Sequence, residues 1–364
     1  VTFGLPKPAH VLYPAAGLCG RVWVADIGFP RALLDEAPAA FEVLEEIQVA
    51  AWLPARPPAA HKGTFGHVLV VAGSRGMAGA GSLAARAALL AGAGLVTWAV
   101  PRSLQDLAAS LVPEALTAGL ADPGEEGVLS EGAWDALREL ATGRDVVVAG
   151  PGLSTRPGVA RLVARMVGEL PVPMVLDADA LNVLASQLEV LEQAGRAQPG
   201  PRLVLTPHPG EMARLLRTDV PSVQRDRVAA AQQAARRFGA VVVLKGAATV
   251  VAAPDGRTWV NPAALAALAT GGSGDVLAGL IGGLLAQGMA PAEAACAGVF
   301  LHAWAGVLAG GGDPGGPVLA GQLAAALPQV FRALRAGERA PQALRPLLPL
   351  GLGPGEGGAQ PQRR

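Results

Sequence analysis

The sequence contains few of the residues that would mark a secreted scaffold, a metal centre or a nucleic-acid surface. Only two of its 364 residues are cysteines, Cys19 and Cys296, so neither a disulfide framework nor a cysteine-based zinc site is available. The 29 basic residues balance the 29 acidic ones, and zero net charge offers no basic surface to nucleic acid or to an anionic membrane. We therefore expect a cytoplasmic protein with no nucleic-acid or membrane partner.

Long hydrophobic runs are missing as well, and we expect no leader peptide. The longest apolar runs, residues 87–100 and 276–286, are shorter than the ~20 residues that a membrane span needs. No charged region precedes an apolar stretch at residues 1–4. The chain has apolar content instead: 51% hydrophobic against 16% charged residues exclude a disordered chain and suffice for a buried core.

Composition divides the chain into four segments. Residues 1–50 hold one or two strands, too few to close a core, and are predicted to be the end of a domain whose body is missing. Residues 51–60, which include two adjacent prolines, are predicted to be a linker. Residues 61–340 form the main domain. Residues 341–364, which become rich in glycine, proline and glutamine, are predicted to be disordered.

The main domain alternates short apolar runs with segments of helical length. Continuous apolar strands separated by helices are typical of a mostly parallel sheet covered on both faces, so we predict a three-layer α/β domain. In such sheets, ligands bind at the carboxyl ends of the strands. The predicted strands are residues 68–72, 94–100, 145–149, 174–176, 203–205, 240–244 and 249–252.

Glycine-rich or acidic segments follow several of these strands, and each permits two interpretations. The glycines around Ala80 suit either a close-packed helix start or a ligand-facing loop. Gly150 and Gly152 suit either a tight turn or a ligand contact. Asp177 and Asp179 are either helix N-caps or groups associated with Mg²⁺.

Two later loops carry charged side chains. His208 and Glu211, in a proline-stiffened loop, could form a metal pair, but zinc needs a further ligand that the sequence does not indicate, so substrate contact is preferred. Lys245 is one of only three lysines and follows a strand beside Gly246. It is well placed to meet a phosphate as a point charge, and the alternative is an ordinary surface lysine.

A polar glycine cluster leads directly into an apolar helix near residue 275. The amides of Gly271, Gly272, Ser273 and Gly274 and the positive end of the helix dipole face one point, which predicts an anion hole. Asp275 lies in the first turn beside it. An anion hole next to a carboxylate suits phosphoryl transfer to a hydroxyl, because the carboxylate can accept the hydroxyl proton.

Together these segments resemble the ribokinase-like fold and, within it, the nucleotide-dependent NAD(P)H-hydrate dehydratases. The resemblance implies dehydration of the S epimer of NAD(P)H hydrate to NAD(P)H, with AMP and phosphate as products and Mg²⁺ as a cofactor. The bacterial character of the composition favours ADP over ATP as the nucleotide. The matching segments, in the family's order, are residues 73–80, 150–153, 177–182, 206–211, 245–247 and 268–277.

The anion hole and the resemblance also suggest roles for individual residues. Asp275 would deprotonate the substrate hydroxyl, no residue is assigned to a metal, and a homotetramer is implied. The substrate would be bound by Ala80, Gly150, Gly152, His208, Glu211 and Asp275. The nucleotide would be bound by Lys245, Gly246, Ala247, Ala248, Thr249, Gly271, Gly272, Ser273 and Gly274.

Two parts of the chain depart from the family's pattern. Residues 1–50 are similar to the end of the epimerase domain of bifunctional bacterial members, so we expect no epimerase activity and a truncated or fragmentary gene product. After Asn261 and Pro262, the family usually continues Thr-Gly-Asn-Pro, whereas residues 263–266 are Ala-Ala-Leu-Ala. This change removes polar groups near the nucleotide loop.

Two other functions are compatible with the same segments. A small-molecule kinase of this fold, such as a hydroxyethylthiazole or sugar kinase, would leave a stable phosphoester. A non-catalytic protein would bind the nucleotide without turnover, and the altered residues 263–266 are the observation behind that alternative. The chemistry of the products separates all three.

Overall fold

The computed structural model describes residues 1–350 except 38, 123–126, 198, 199, 201 and 346. Its strands are β1 (Thr2–Phe3), β2 (Val22–Ala25), β3 (Glu42–Val43), β4 (His67–Val71), β5 (Leu95–Pro101), β6 (Leu116–Leu120), β7 (Val146–Ala149), β8 (Met174–Leu176), β9 (Leu203–Leu205), β10 (Val241–Leu244), β11 (Thr249–Ala252), β12 (Thr258–Asn261) and β13 (Leu347–Leu350). Its α-helices are α1 (Ala16–Cys19), α2 (Arg31–Asp35), α3 (Glu46–Trp52), α4 (Ala78–Leu90), α5 (Gln105–Leu111), α6 (Trp134–Ala141), α7 (Pro157–Glu169), α8 (Asp179–Leu184), α9 (Leu188–Arg196), α10 (Pro209–Leu216), α11 (Val220–Arg225), α12 (Arg227–Phe238), α13 (Ser273–Ala286), α14 (Pro291–Ala309) and α15 (Ala320–Arg335).

Ten strands form one central sheet in the order β3-β12-β11-β10-β9-β8-β7-β4-β5-β6. Strands β10, β11 and β12 pair antiparallel, and the other neighbours pair parallel. All seven strands predicted from apolar runs are present within a residue or two of their expected bounds. The predicted α/β fold with a mostly parallel sheet flanked by helices is confirmed.

Helices cover both faces of this sheet because its strands are apolar on both sides. Along β4, Val68 and Val70 belong to one buried cluster, whereas Leu69 and Val71 belong to the other, as the two-residue period of a strand requires. The first cluster includes α4 and α13–α15, and the second includes α6–α12. Helix α14 is long and apolar enough to cross a membrane, but 83% of its apolar window is buried inside the protein, so it is a core helix.

The predicted segment boundaries require correction at two places. Strand β3 pairs with β12 in the central sheet, and Leu44 and Val49 are buried in its core, so residues 42–52 belong to the main domain rather than to a separate segment and linker. Strand β13, in the predicted disordered tail, pairs with β2 in a second sheet of order β1-β2-β13. Residues 351–364 lie outside the described residues.

Glycines allow α13 to pack very closely on α4, and this contact yields the first prediction. A Cβ at Gly279 would overlap the carbonyl oxygen of Ala84. We expect Gly279→Ala to lower the free energy of unfolding by about 1–3 kcal/mol, because the two backbones must separate. Chemical unfolding followed by circular dichroism measures this change.

Gly321 in α15 provides the matched control. It is exposed, and a Cβ there would have nothing within 4 Å. Gly321→Ala should therefore raise stability by up to about 1 kcal/mol, since alanine is the better helix former. Equal unfolding midpoints for Gly279→Ala and the parent would contradict the importance of this close packing.

Candidate active site

Three neighbouring parallel strands bring a half-buried lysine and two buried carboxylates together. Asp177 follows β8, Glu211 lies in the loop-helix segment after β9, and Lys245 follows β10. The Nζ atom of Lys245 donates a hydrogen bond to Oδ1 of Asp177 at 2.6 Å, and Oε2 of Glu211 lies 4.0 Å from Nζ. Both carboxylates are at least 95% buried. Lys245 is therefore an internal ion-pair partner and not an ordinary surface lysine.

Burial and charge oppose each other in this cluster. Burial acts to lower the pKa of Lys245, but Asp177 and Glu211 outweigh it and hold that pKa above its usual value. Burial raises the pKa of Glu211 to about 7, although Lys245 acts in the other direction. At neutral pH the ammonium is charged, whereas Glu211 lies close to its midpoint.

His208 begins α10 and is held by the backbone of that helix. Its Nδ1 accepts hydrogen bonds from the amides of Gly210 at 2.9 Å and Glu211 at 3.4 Å, and Glu211 accepts from the amide of His208 at 2.8 Å. Burial and Lys245 lower the pKa of His208, so the neutral ring carries its proton on Nε2. Among the described residues, no group of three His, Cys, Asp or Glu side chains could hold a metal ion.

The N-terminus of α13 lies directly against Lys245. A Cβ at Gly274 would be 3.2 Å from Nζ of Lys245 and 3.5 Å from Oδ2 of Asp177, so a side chain there would crowd this ion pair. Asp275, in the first turn, is half-buried. Burial and the charge of Asp177 raise the pKa of Asp275 to about 7, despite the opposing effect of Lys245. An ammonium, a helix N-terminus and a carboxylate of near-neutral pKa therefore meet at one place.

A buried histidine that the sequence analysis did not identify fixes this helix end. Nε2 of His302, in α14, lies 2.9 Å from the carbonyl oxygen of Ser273, the first residue of α13. Burial lowers the pKa of His302 to about 4, so the ring is neutral and its Nε2–H donates to that carbonyl. Apart from Glu293 in the first turn, His302 is the only ionisable side chain other than Cys296 in this apolar helix, and that was the available sequence signal.

Three of the predicted substrate residues lie together on the other side of Asp177. A Cβ at Gly152 would be 3.1 Å from the Cβ of Ala80, and a Cβ at Gly150 would overlap the carbonyl oxygen of Asp177. Ser74 Oγ donates to the carbonyl of Gly152 at 2.8 Å, which joins the first loop to this turn. The glycines are therefore required for close approach, and a contact with substrate remains a prediction.

Lys245 also lines a cavity of about 700 Å³. Residues 263–266 line it, so their alanines and leucine replace polar groups at its wall. Six of the predicted nucleotide residues also line it, namely Lys245, Gly246, Ala247, Thr249, Ser273 and Gly274.

The other three predicted nucleotide residues do not line this cavity. Ala248 is fully buried with a φ of 53°, so its side chain faces the core. Gly272, with a φ of 88°, lies against Leu83 and Ala320, and Gly271 is exposed. A contact of these three residues with the nucleotide stays a prediction.

Asp177 and Arg227 are site residues whose roles the sequence did not reveal. Asp177 was expected to be a helix cap or a Mg²⁺-associated group; Ala178 is the N-cap of α8, and Asp177 forms an ion pair with Lys245 that the sequence did not indicate. Arg227 donates to the carbonyls of Leu244 at 3.0 Å and Lys245 at 3.2 Å, and thereby supports the turn that carries the lysine. These partners are distant in sequence, so no local pattern connects them.

Comparison with known proteins agrees with this arrangement. Residues 68–329 match the family model described as NAD(P)H-hydrate dehydratase. A bifunctional NAD(P)H-hydrate repair enzyme of Moorella thermoacetica is 47% identical over 92% of this chain, which spans 62% of that relative's length. An ADP-dependent (S)-NAD(P)H-hydrate dehydratase of Neisseria meningitidis is 45% identical over 75% of this chain and 87% of its own length.

Solved structures give the same result. An ADP/ATP-dependent NAD(P)H-hydrate dehydratase of Bacillus subtilis, co-crystallised with ATP and Mg²⁺, has a TM-score of 0.66 and 33% identity, covering 81% of this chain and 99% of its own. A ribokinase-like protein of Enterococcus faecalis, with a TM-score of 0.69 and 24% identity over 82% of this chain and 98% of its own, shares the fold. The chain therefore belongs to the NAD(P)H-hydrate dehydratase family.

Proposed function

We propose that the chain dehydrates the S epimer of NAD(P)H hydrate to NAD(P)H, with ADP as the phosphoryl donor and AMP and phosphate as products. The observation that supports this proposal is the meeting of Lys245, the N-terminus of α13 and Asp275 beside a cavity of nucleotide size. The name of the Neisseria relative supports ADP and the S epimer.

The site residues would overcome a poor leaving group. Hydroxide leaves the hydrated ring slowly, so the substrate oxygen first attacks the β-phosphorus of ADP, and the bond to the bridging oxygen breaks to release AMP. Asp275 accepts the hydroxyl proton, while the Lys245 ammonium and the α13 amides hold the phosphoryl charge. The ring nitrogen lone pair then expels phosphate, and loss of a proton from the neighbouring ring carbon restores the double bond of the reduced nicotinamide.

Mg²⁺ fits the charge of this site when it enters with the nucleotide. The three carboxyl groups of Asp177, Asp179 and Asp275 outnumber the single positive charge of Lys245. Mg²⁺ in proteins is commonly bound by one or two carboxylates together with substrate phosphates. Lys245 bonds Oδ1 of Asp177, so we propose that the other carboxylate oxygen of Asp177 holds the ion with the phosphates. Bound there, Mg²⁺ would neutralise phosphate charge.

Location and assembly complete the proposal. Two free cysteines, one exposed and one buried, support a reducing cytoplasmic setting. We propose a homotetramer, and exposed apolar side chains on the main domain, among them Leu107, Leu116 and Leu319, could contribute to its interfaces.

A product assay tests the proposed reaction. Purified protein incubated with hydrated NADH, ADP and Mg²⁺ should restore the absorbance of reduced nicotinamide, with one AMP and one phosphate formed per NADH. A small-molecule kinase would instead accumulate a phosphoester. Consumption of ADP without recovery of the absorbance would contradict the proposal.

Asp275→Asn tests the proton acceptor. Asparagine has nearly the same shape but cannot take up the hydroxyl proton, so we expect kcat to fall about 10²- to 10⁴-fold. Circular dichroism and calorimetric ADP titration establish that the variant folds and binds. Turnover close to that of the parent would remove Asp275 from the mechanism.

The pH dependence of kcat/KM provides a further prediction. The pKa of Asp275 is raised to about 7, and only its carboxylate form accepts a proton. The rate should therefore increase about tenfold per pH unit below pH 7 and level off above it.

Glu211→Gln is the matched control, because burial raises the pKa of Glu211 to about 7 as well. The variant should retain the same pH profile even if its overall rate falls. If the pH dependence disappears in Glu211→Gln, the titrating group is Glu211 and not Asp275.

A further inference from the structure

One wall of the cavity beside Lys245 comes from the beginning of the chain. Tyr13 lines this cavity together with residues from β10 to α14, more than 200 positions later in the sequence. It is the only tyrosine of the chain and, with the His302 imidazole, the only aromatic ring among the described lining residues. The segment expected to be the end of another domain therefore reaches the candidate nucleotide site.

The Tyr13 ring is held in place by its neighbours. Val11, 2% exposed, is buried in the core formed with α6–α12, and Leu12 packs against the same core. Leu12 donates to the carbonyl of Pro8 at 2.8 Å and accepts from Ala16 at 3.0 Å. A Cβ at Gly17 would lie 3.1 Å from Cε1 of Tyr13, so helix α1 approaches one edge of the ring.

The lining suits the base of the nucleotide more than the nicotinamide of the other substrate. Its charged end is formed by Lys245 and the N-terminus of α13, whereas Leu265, Leu268 and neighbouring alanines make much of the rest apolar. Residues predicted to contact the hydrated nicotinamide, such as Gly152 and His208, are not part of this lining. With phosphates at the charged end, the planar base is the group left to meet the apolar wall.

We propose that Tyr13 stacks on the adenine ring of the bound nucleotide and that residues before β2 thereby contribute to its affinity. Tyr13 is 41% exposed, which leaves part of its surface for a ligand. Stacking on an aromatic side chain is a general source of affinity for nucleobases. This inference rests on the proposed function and specifies its base-binding position.

Fluorine NMR tests the contact without altering the chain's sequence. Because there is a single tyrosine, 3-fluorotyrosine labels this ring alone. Titration with ADP and Mg²⁺ should shift the fluorine resonance and saturate at the Kd that calorimetry gives. Pyrophosphate with Mg²⁺, which lacks a base, should shift it far less.

The two possible failures are distinguishable. If calorimetry shows ADP binding while the fluorine resonance does not move, Tyr13 does not touch the base, and the proposed function stands. If calorimetry shows no binding of ADP, the proposed function fails and the inference with it.

Substitutions give an independent measure. Tyr13→Ala should raise the Kd for ADP about five- to tenfold and leave that for pyrophosphate unchanged, whereas Tyr13→Phe should stay within about twofold of the parent. Leu18→Ala, at a residue 91% exposed in the same segment, is the matched control and should change neither. Equal weakening of ADP and pyrophosphate binding by Tyr13→Ala would assign Tyr13 a structural role and overturn the inference.

Discussion

The site depends on an ammonium group held between two buried carboxylates. Removing such charges from water costs on the order of several kcal/mol per ion unless they are paired, so Lys245, Asp177 and Glu211 require one another. They come from three adjacent strands whose register is fixed by backbone pairing. Since a one-residue slip would turn a strand's side chains to the opposite face, the register of the sheet determines the chemistry at its edge.

The N-terminus of helix α13 lies against this cluster, and contacts in the middle of the helix and at its first residue hold it in position. Close packing of Gly279 and Gly283 on the backbone of α4 places the helix laterally, and the hydrogen bond from His302 fixes its first residue. At the tip, Gly274 lets the end of the helix lie beside Lys245. The glycines of α13 thus serve two purposes: Gly279 and Gly283 allow close packing on α4, and Gly274 keeps the helix end free of a side chain.

Much of the fold and part of the site were predictable because their signals are local. Buried parallel strands read as continuous apolar runs, whereas edge strand β6 and the two-residue β3 carry too weak a pattern. The segments after β8, β9 and β10 meet as the parallel topology predicts, since it brings the carboxyl ends of these strands to one edge. Asp177 and Lys245 are separated by 68 positions, so only the tertiary structure pairs them. The same holds for Tyr13 in the cavity wall, and no rule of sequence spacing reveals either contact.

The small sheet has a mechanical consequence. Strands β2 and β13 run parallel, with Leu347 opposite Val22 and Leu350 opposite Ala25. Tension applied between the beginning and the end of the described chain would enter one strand at Val22 and leave the other at Leu350, at opposite ends of the pair. Such a force loads all the backbone hydrogen bonds between β2 and β13 in shear at the same time instead of breaking them one after another. The strand pair should therefore resist pulling better than its short length suggests.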